Sequence, residues 1–440
     1  MTLEAKIREK IQLRRERIDC LKREHGDFVI SNVTVEQIYS GIRGVPIQVS
    51  DISYVDPEKG VRYQGYTVDE CINLLPNPEN SRFPYIGGLY YLLMTGELST
   101  AARAVEIEED WRARSEVPEV VFNVIDAFPD GAAAMAMFSA ALLSMSSGSK
   151  FAAQYADGMD KKEHWIPMLD DSMDLIARAP EICAYIYNKK YRNHEHIKPD
   201  PGLDYAANFA HMVGLDDPRV YDLLRMTLLL LADHENANVS AHTAHLVGSA
   251  LSDIYLACSA GLNGLAGPLH GLANQECFKY IQELCDRFQG VPEKDELAAY
   301  LQQTLSSGRV IPGYGHAVLR NIDPRFAVEY KYGEATAADD PYFQTAKAIF
   351  KTAPAILKAT GKVKNPWPNV DALTGVLFNH FGLTHSSFYT VLFGLSRLMG
   401  FTCHIVWARA VNKPIERPKA LTTRILEAMV SEQNLENLIR

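Results

Sequence analysis

The sequence predicts a mainly α fold on three observations: helical spacing of apolar residues at the start of the chain, two long charge-poor stretches, and alternating patterns confined to short segments. The opening segment sets Ile7, Ile11, Ile18 and Leu21 among charges, the pattern of an amphipathic helix lying on the body of the protein. Alternation around Phe28 to Val33 and Ile47 to Val55 predicts a few minor strands. The run GAAAMAMFSAALLSMSSGS, Gly131 to Ser149, approaches a membrane span in length, but its second half is rich in serine, which favours a buried helix. From Asn236 to Gln275 the sole charge is Asp253, and Ser, Gly, Asn and His are frequent. Small residues let helices approach closely, so both stretches are expected to be central helices, either at a subunit interface or in an ordinary monomer core. SSGRVIPGYGHAVLRNIDP, Ser306 to Pro324, and KNPWPNVDALTG, Lys364 to Gly375, are too broken by Gly and Pro for helix and are expected as loops, where polar side chains are available to ligands.

With 440 residues, 47% hydrophobic and 22% charged, the chain can bury a large core and lacks the composition of disordered or coiled-coil proteins. A net charge of −10 argues against nucleic acid or anionic lipid as a partner, because phosphate binding needs a basic field. Residues 301–440 reverse the balance, with 16 Lys and Arg against 10 Asp and Glu, so an anionic small molecule is expected to dock there. The seven cysteines are scattered, with no C-x-x-C pair, which makes a disulfide framework or zinc site unexpected and suits a reducing compartment. The first 27 residues mix Arg with Glu and have no apolar core, unlike secretory or transit segments. A cytoplasmic location is therefore expected, with a matured mitochondrial matrix form as the alternative.

Five groups could carry chemistry. LADHENANVSAHTAH crowds Asp233, His234, Glu235, His242 and His245 together; a metal site is the sharp alternative, but there is no H-E-x-x-H and no cysteine partner. In GLAGPLHGLANQE, His270 follows a Pro-Leu pair between glycines, where the backbone enters or leaves a helix. PGYGHAVLRNIDPR joins His316 to Arg320 and Arg325, and its Gly313 and Gly315 lack the third glycine of a dinucleotide fingerprint. Asp371 follows a Trp-Pro wall, surroundings that can raise a carboxylate toward useful base strength, although many such residues only cap helices. Arg397 in FGLSR, with Arg417 and Lys419 in IERPK, suits bidentate grip on carboxylates or plain solvation.

Taken together and in order, LADHENANVSAHTAHLVGSALSD, NGLAGPLHGLANQE, GRVIPGYGHAVLRNIDPR, NPWPNVDALTG, FYTVLFGLSR and IERPK closely resemble the citrate synthases, particularly the mitochondrial type. The likeness extends to HGDFVISNVTVEQIYSGIRG, VDPEKGVRYQGYTVDEC and YYLLMTGELST in the N-terminal half. It implies a two-domain helical fold: a large helical domain from 1–270 and 377–440, and a smaller domain inserted over 271–376. It also implies a homodimer that condenses acetyl-CoA with oxaloacetate and water to citrate and CoA, with the thioester as substrate and no cofactor or metal.

By the same resemblance Asp371 is the base for the methyl proton, His270 hydrogen-bonds the thioester oxygen and His316 polarises the ketone. His234, Arg325, Arg397 and Arg417 hold oxaloacetate, Arg417 arriving from the other subunit. Coenzyme A falls to Arg43, Val310, Gly313, Tyr314, Gly315, Ala317, Arg320, Lys364 and Asn369, with Phe393 lining the pocket. Two departures stand out: Ala153 where relatives commonly carry an arginine for a CoA phosphate, and DALTG where they commonly have DAHSG. Closure of the smaller domain after oxaloacetate binds is expected. The competing readings are a 2-methylcitrate synthase using propionyl-CoA, a metal-dependent hydrolase built on His234, His242 and His245, and a non-enzymatic dimeric scaffold.

Overall fold

A computed structural model describes residues 2–439 except Ala317, with the backbone alone over 433–439. The chain is mainly helical, and among the described residues a single three-stranded antiparallel sheet is formed by Ser53–Asp56, Gly60–Tyr63 and Tyr66–Thr67 in that order. The opening helix, Leu3–His25, buries Ile7 and Ile11, while Leu21 is exposed, so only its first half lies on the body. Its Arg14 stacks 3.7 Å over Trp407, a cation–π contact that ties the chain's two ends together.

The centre of the molecule is the Tyr389–Ala410 helix, buried along its whole length. It packs against helices Trp165–Tyr191, Pro218–Leu231, Val239–Ser249 and Ile254–Leu265. By length and composition it could cross a membrane, but its apolar surface is covered by these neighbours. The charge-poor stretches are helical as expected: Ala134–Ser144 in the first, Val239–Ser249 and Ile254–Leu265 in the second, with Ile254–Leu265 packed between the other two. Gly261 permits that approach, since a Cβ there would stand 2.8 Å from Phe401 and 2.9 Å from Ala244. All seven cysteines are free thiols, and six are buried.

Helices Ala273–Phe288, Lys294–Ser306, Pro324–Thr336, Pro341–Ala359 and Asp371–His380 pack on one another beside this core. Two expectations need correction. Residues 28–33 form no strand, and Phe28, Val29 and Ile30 are exposed, because no second strand pairs with them. Strand structure appears only at the end of the second alternating segment, from Ser53. The loop expected over 364–375 ends at Val370, and Asp371 begins a helix that runs through Gly375. That glycine is there for packing, because a Cβ would lie 2.7 Å from Asn274 Oδ1 and 2.9 Å from Phe278 Cβ.

Candidate active site

A cleft of about 480 Å³ lies between the core and the second group of helices. Its walls carry His234, His270, His316, Arg325, Asn369, Asp371, Phe393 and Arg397. Sequence positions more than 160 residues apart meet there because three irregular segments, two helix starts and the interior of the Tyr389–Ala410 helix converge on it.

His234 lies on the turn between Pro218–Leu231 and Val239–Ser249, which the small sheet clamps from behind. Ser53 Oγ donates to Asp233 at 2.7 Å, and the Val55 N–H donates to Glu235 at 2.7 Å. His404 lies 2.8 Å from the same Asp233 carboxylate. His234 Nε2 is buried with no hydrogen-bond partner among the described residues, and burial with two nearby guanidiniums keeps its ring neutral, well below the ordinary imidazole range. A buried ring nitrogen left unpaired in this way is suited to a polar group of a ligand.

His270 lies between the Ile254–Leu265 and Ala273–Phe288 helices. The Ser240 N–H points at its Nε2 from 3.3 Å and the Ser240 hydroxyl lies 2.8 Å away. A backbone N–H can only donate, so Nε2 accepts and the proton resides on Nδ1. Burial, helped by Arg397, lowers this imidazole to about 4.

His316 is oriented in the opposite sense. The N–H groups of Val318 and Leu319 both donate to Nδ1 at 3.0 Å, which leaves Nε2 to carry the proton. Burial, reinforced by Arg325, lowers this ring also to about 4. Its loop is stitched to the 362–370 loop: Gly315 N–H to Trp367 O at 3.0 Å, Asn369 N–H to Gly313 O at 2.9 Å, and Asn369 Nδ2 to Gly315 O at 3.0 Å. Gly313 has φ 77°, and a Cβ there would strike Cys277 Sγ and Ala372 Cα at 2.8 and 2.9 Å, so no other residue fits.

Asp371 opens the Asp371–His380 helix, its N–H held by Asn369 Oδ1 at 3.0 Å. Desolvation raises its carboxyl to about 6, against the pull of Arg325. The Thr374 hydroxyl, in the DALTG segment, lies 2.6 Å from the buried Glu329 carboxyl and 2.9 Å from Val370 O, fixing the first turn.

Two guanidiniums complete the cleft. Arg325, 4% exposed, is paired through one edge with Asp323 at 2.8 Å. Arg397, 1% exposed, donates to Leu231 O at 2.9 Å and stacks 4.7 Å over Phe393, and forms no ion pair among the described residues. Burial lowers it to about 10. A buried cation with so little compensation is a strong anion site.

The remaining candidates lie elsewhere on the chain. Arg417 is exposed on an extended segment and does not line this chain's own cleft. Arg43, Val310, Arg320 and Lys364 are exposed, while Gly313, Tyr314 and Gly315 are half-buried in the stitched loops. Ala317 lies outside the described residues, and Ala153 is exposed. His242 and His245 both contact Glu416, whereas the His234 ring meets His316, so the three histidines do not converge. Ser240 and Asp323 went unnoticed in sequence; Asp323 carried a signal, since Asp-Pro caps a helix, and its side chain does accept from the Arg325 N–H at 3.0 Å.

Neutral histidines holding opposite tautomers, a carboxylate of raised basicity and buried guanidiniums define an acid–base enzyme acting on an anionic substrate. The family model for the citrate synthase C-terminal domain matches residues 41–419. The chain is 44% identical over 424 residues to a probable mitochondrial citrate synthase of Glossina morsitans morsitans, covering 96% of this chain and 91% of the relative. It is 43% identical over 436 residues to the mitochondrial citrate synthase of Saccharomyces cerevisiae, covering 99% and 91%. Among solved structures, citrate synthase from Pyrobaculum aerophilum superposes with a TM-score of 0.77 at 27% identity, over 87% of this chain and 92% of that one. The chain belongs to the citrate synthase family.

Proposed function

We propose that this enzyme condenses acetyl-CoA with oxaloacetate and water, giving citrate and CoA, through the residues gathered in the cleft. The observation that carries the assignment is the placement of Arg325 and Arg397 beside His316, with His270 and Asp371 in the same cleft. A dicarboxylate gripped by the two arginines and His234 sets its ketone against the Nε2–H of His316. The thioester oxygen meets the Nδ1–H of His270, and Asp371 removes a methyl proton. A neutral imidazole donor suits the enolate oxygen, because its acidity lies nearer that of the enol than an imidazolium's would. The new carbon–carbon bond turns the ketone into an alkoxide, which takes the His316 proton; water then cleaves citryl-CoA to release the thiol.

Coenzyme A is placed along the 309–320 and 362–370 loops, with Arg43, Arg320 and Lys364 toward its phosphates. Residues 271–376 are taken as the smaller domain that closes on oxaloacetate. A homodimer with Arg417 serving the partner's cleft is supported by the exposure of Arg417 and by exposed apolar side chains at Phe28, Ile30, Val239, Leu246 and Ile415. The curated relatives are mitochondrial proteins, which supports a matrix location over the cytoplasmic one expected from composition.

The test is thiol release on adding oxaloacetate and acetyl-CoA, repeated with propionyl-CoA and with EDTA. Rapid, chelator-insensitive release that requires oxaloacetate and favours acetyl-CoA is expected. Preference for propionyl-CoA would reassign the substrate, and no release with either thioester would refute the assignment.

A further inference from the structure

We propose that Glu416 is a positioning residue whose carboxylate anchors the extended segment carrying Arg417, so that this guanidinium is presented to the cleft of a second copy. The inference rests on the cross-subunit role given to Arg417 above.

Between the Tyr389–Ala410 and Thr423–Ile439 helices the chain has no regular structure over residues 413–422. Ile415 and Arg417 face outward, whereas Glu416 between them turns inward and is half-buried. Pro414 and Pro418 restrict the residues before them, Lys413 and Arg417, to extended backbone, but supply no hydrogen bond that would fix the segment's place. Glu416 does so. Gln48 Nε2 donates to its two oxygens at 3.1 and 3.3 Å, His242 Nε2 lies 3.2 Å from Oε2, and His245 Nδ1 contacts Oε1. The Glu416 N–H itself donates to Ser249 Oγ at 3.1 Å. Three of these partners lie on one face of the Val239–Ser249 helix, the element that also holds Ser240 against His270. The Gln48 side-chain Oε1 in turn accepts from the side-chain amide of Asn236, two residues beyond His234. One carboxylate therefore ties the Arg417 segment to the backbone that places this chain's own His234 and His270.

The two histidines that looked like metal ligands in sequence have their explanation here. At i and i+3 on one helix face they clamp a single carboxylate. Removing that carboxylate would leave the Gln48, His242 and His245 donors unpaired and release the segment next to Arg417.

The experiment uses the full chain carrying Glu416→Ala, Glu416→Gln, Arg417→Ala and the double change Glu416→Ala/Arg417→Ala. Glu416→Ala should raise the KM for oxaloacetate about tenfold while kcat at saturation changes less than about threefold; Glu416→Gln, which keeps one acceptor, should restore part of the loss. The double variant should be no worse than Arg417→Ala alone, because Glu416 acts only through that arginine. Mixed dimers sharpen the test. When Glu416→Ala chains are assembled with excess Asp371→Asn chains, the only competent cleft takes Arg417 from a chain with intact Glu416, and its KM should return to the unmodified value. Additive losses in the double variant, or a KM that stays high in the mixed dimer, would overturn the proposal. An Arg417→Ala enzyme with unchanged KM for oxaloacetate would instead refute the cross-subunit role itself.

Discussion

As the proposed base, Asp371 has to be charged to accept a proton from carbon, and burial sets the pH at which that charge appears, at about 6. Below that value the carboxyl is protonated and cannot act, whereas His270 and His316, held at about 4 by burial, are already in their neutral working form. A pH profile of kcat/KM should therefore fall about tenfold per unit below pH ~6 and stay flat up to pH ~8. Loss of activity through a second ionisation near neutrality would show that one of the histidines works as an imidazolium. At this scale the sequence was most legible where residue type and chemistry coincide. His270, His316, Asp371, Arg325 and Arg397 stood out by their motifs, and they meet in one cleft. Ser240 did not, because a serine in a helix full of small residues shows nothing of the histidine thirty positions away that it orients.

Helix packing transmits directly to that serine. The Ile254–Leu265 helix approaches Val239–Ser249 at Gly261, where a Cβ would lie 3.0 Å from the Ser240 carbonyl as well as against Phe401 and Ala244. Gly261→Ala should cost about 1–3 kcal/mol of stability by overpacking and should lower kcat by displacing Ser240 from His270. Gly131→Ala, at a site with open space around it, serves as the control and should change neither. A Gly261→Ala enzyme with unaltered melting temperature and kcat would contradict the coupling. Apolar spacing found the helix at 3–25 and charge-poor composition the helices at 134–144, 239–249 and 254–265, but local pattern misled at two elements. The alternation at 28–33 lacked a pairing strand, and Gly375 looked like a breaker although its helix needs it for contact with Asn274 and Phe278. Both misreadings have the same origin: pairing and close approach belong to distant partners that local pattern does not contain.

The proposed catalytic and binding groups come from both sides of the cleft: His234, His270 and Arg397 from the core helices and their turns, His316, Arg325 and Asp371 from the neighbouring group of helices. Saturating oxaloacetate, bridging Arg325 and Arg397, should draw the two together, and small-angle scattering should record a smaller radius of gyration; an unchanged radius would exclude closure as the ordering step. This division of labour also separates holding from chemistry. In the proposed mechanism the arginines and His234 bind the dicarboxylate, His316 and His270 polarise, and Asp371 alone moves the methyl proton. The most direct measurement is therefore oxaloacetate affinity together with turnover in Asp371→Asn, compared with Arg397→Ala. The predicted result is near-normal oxaloacetate binding with turnover lowered by about 10²–10⁴-fold in Asp371→Asn, and chiefly weakened oxaloacetate binding in Arg397→Ala. Near-normal turnover in Asp371→Asn would contradict the assignment of the base and, with it, the mechanism drawn from this cleft.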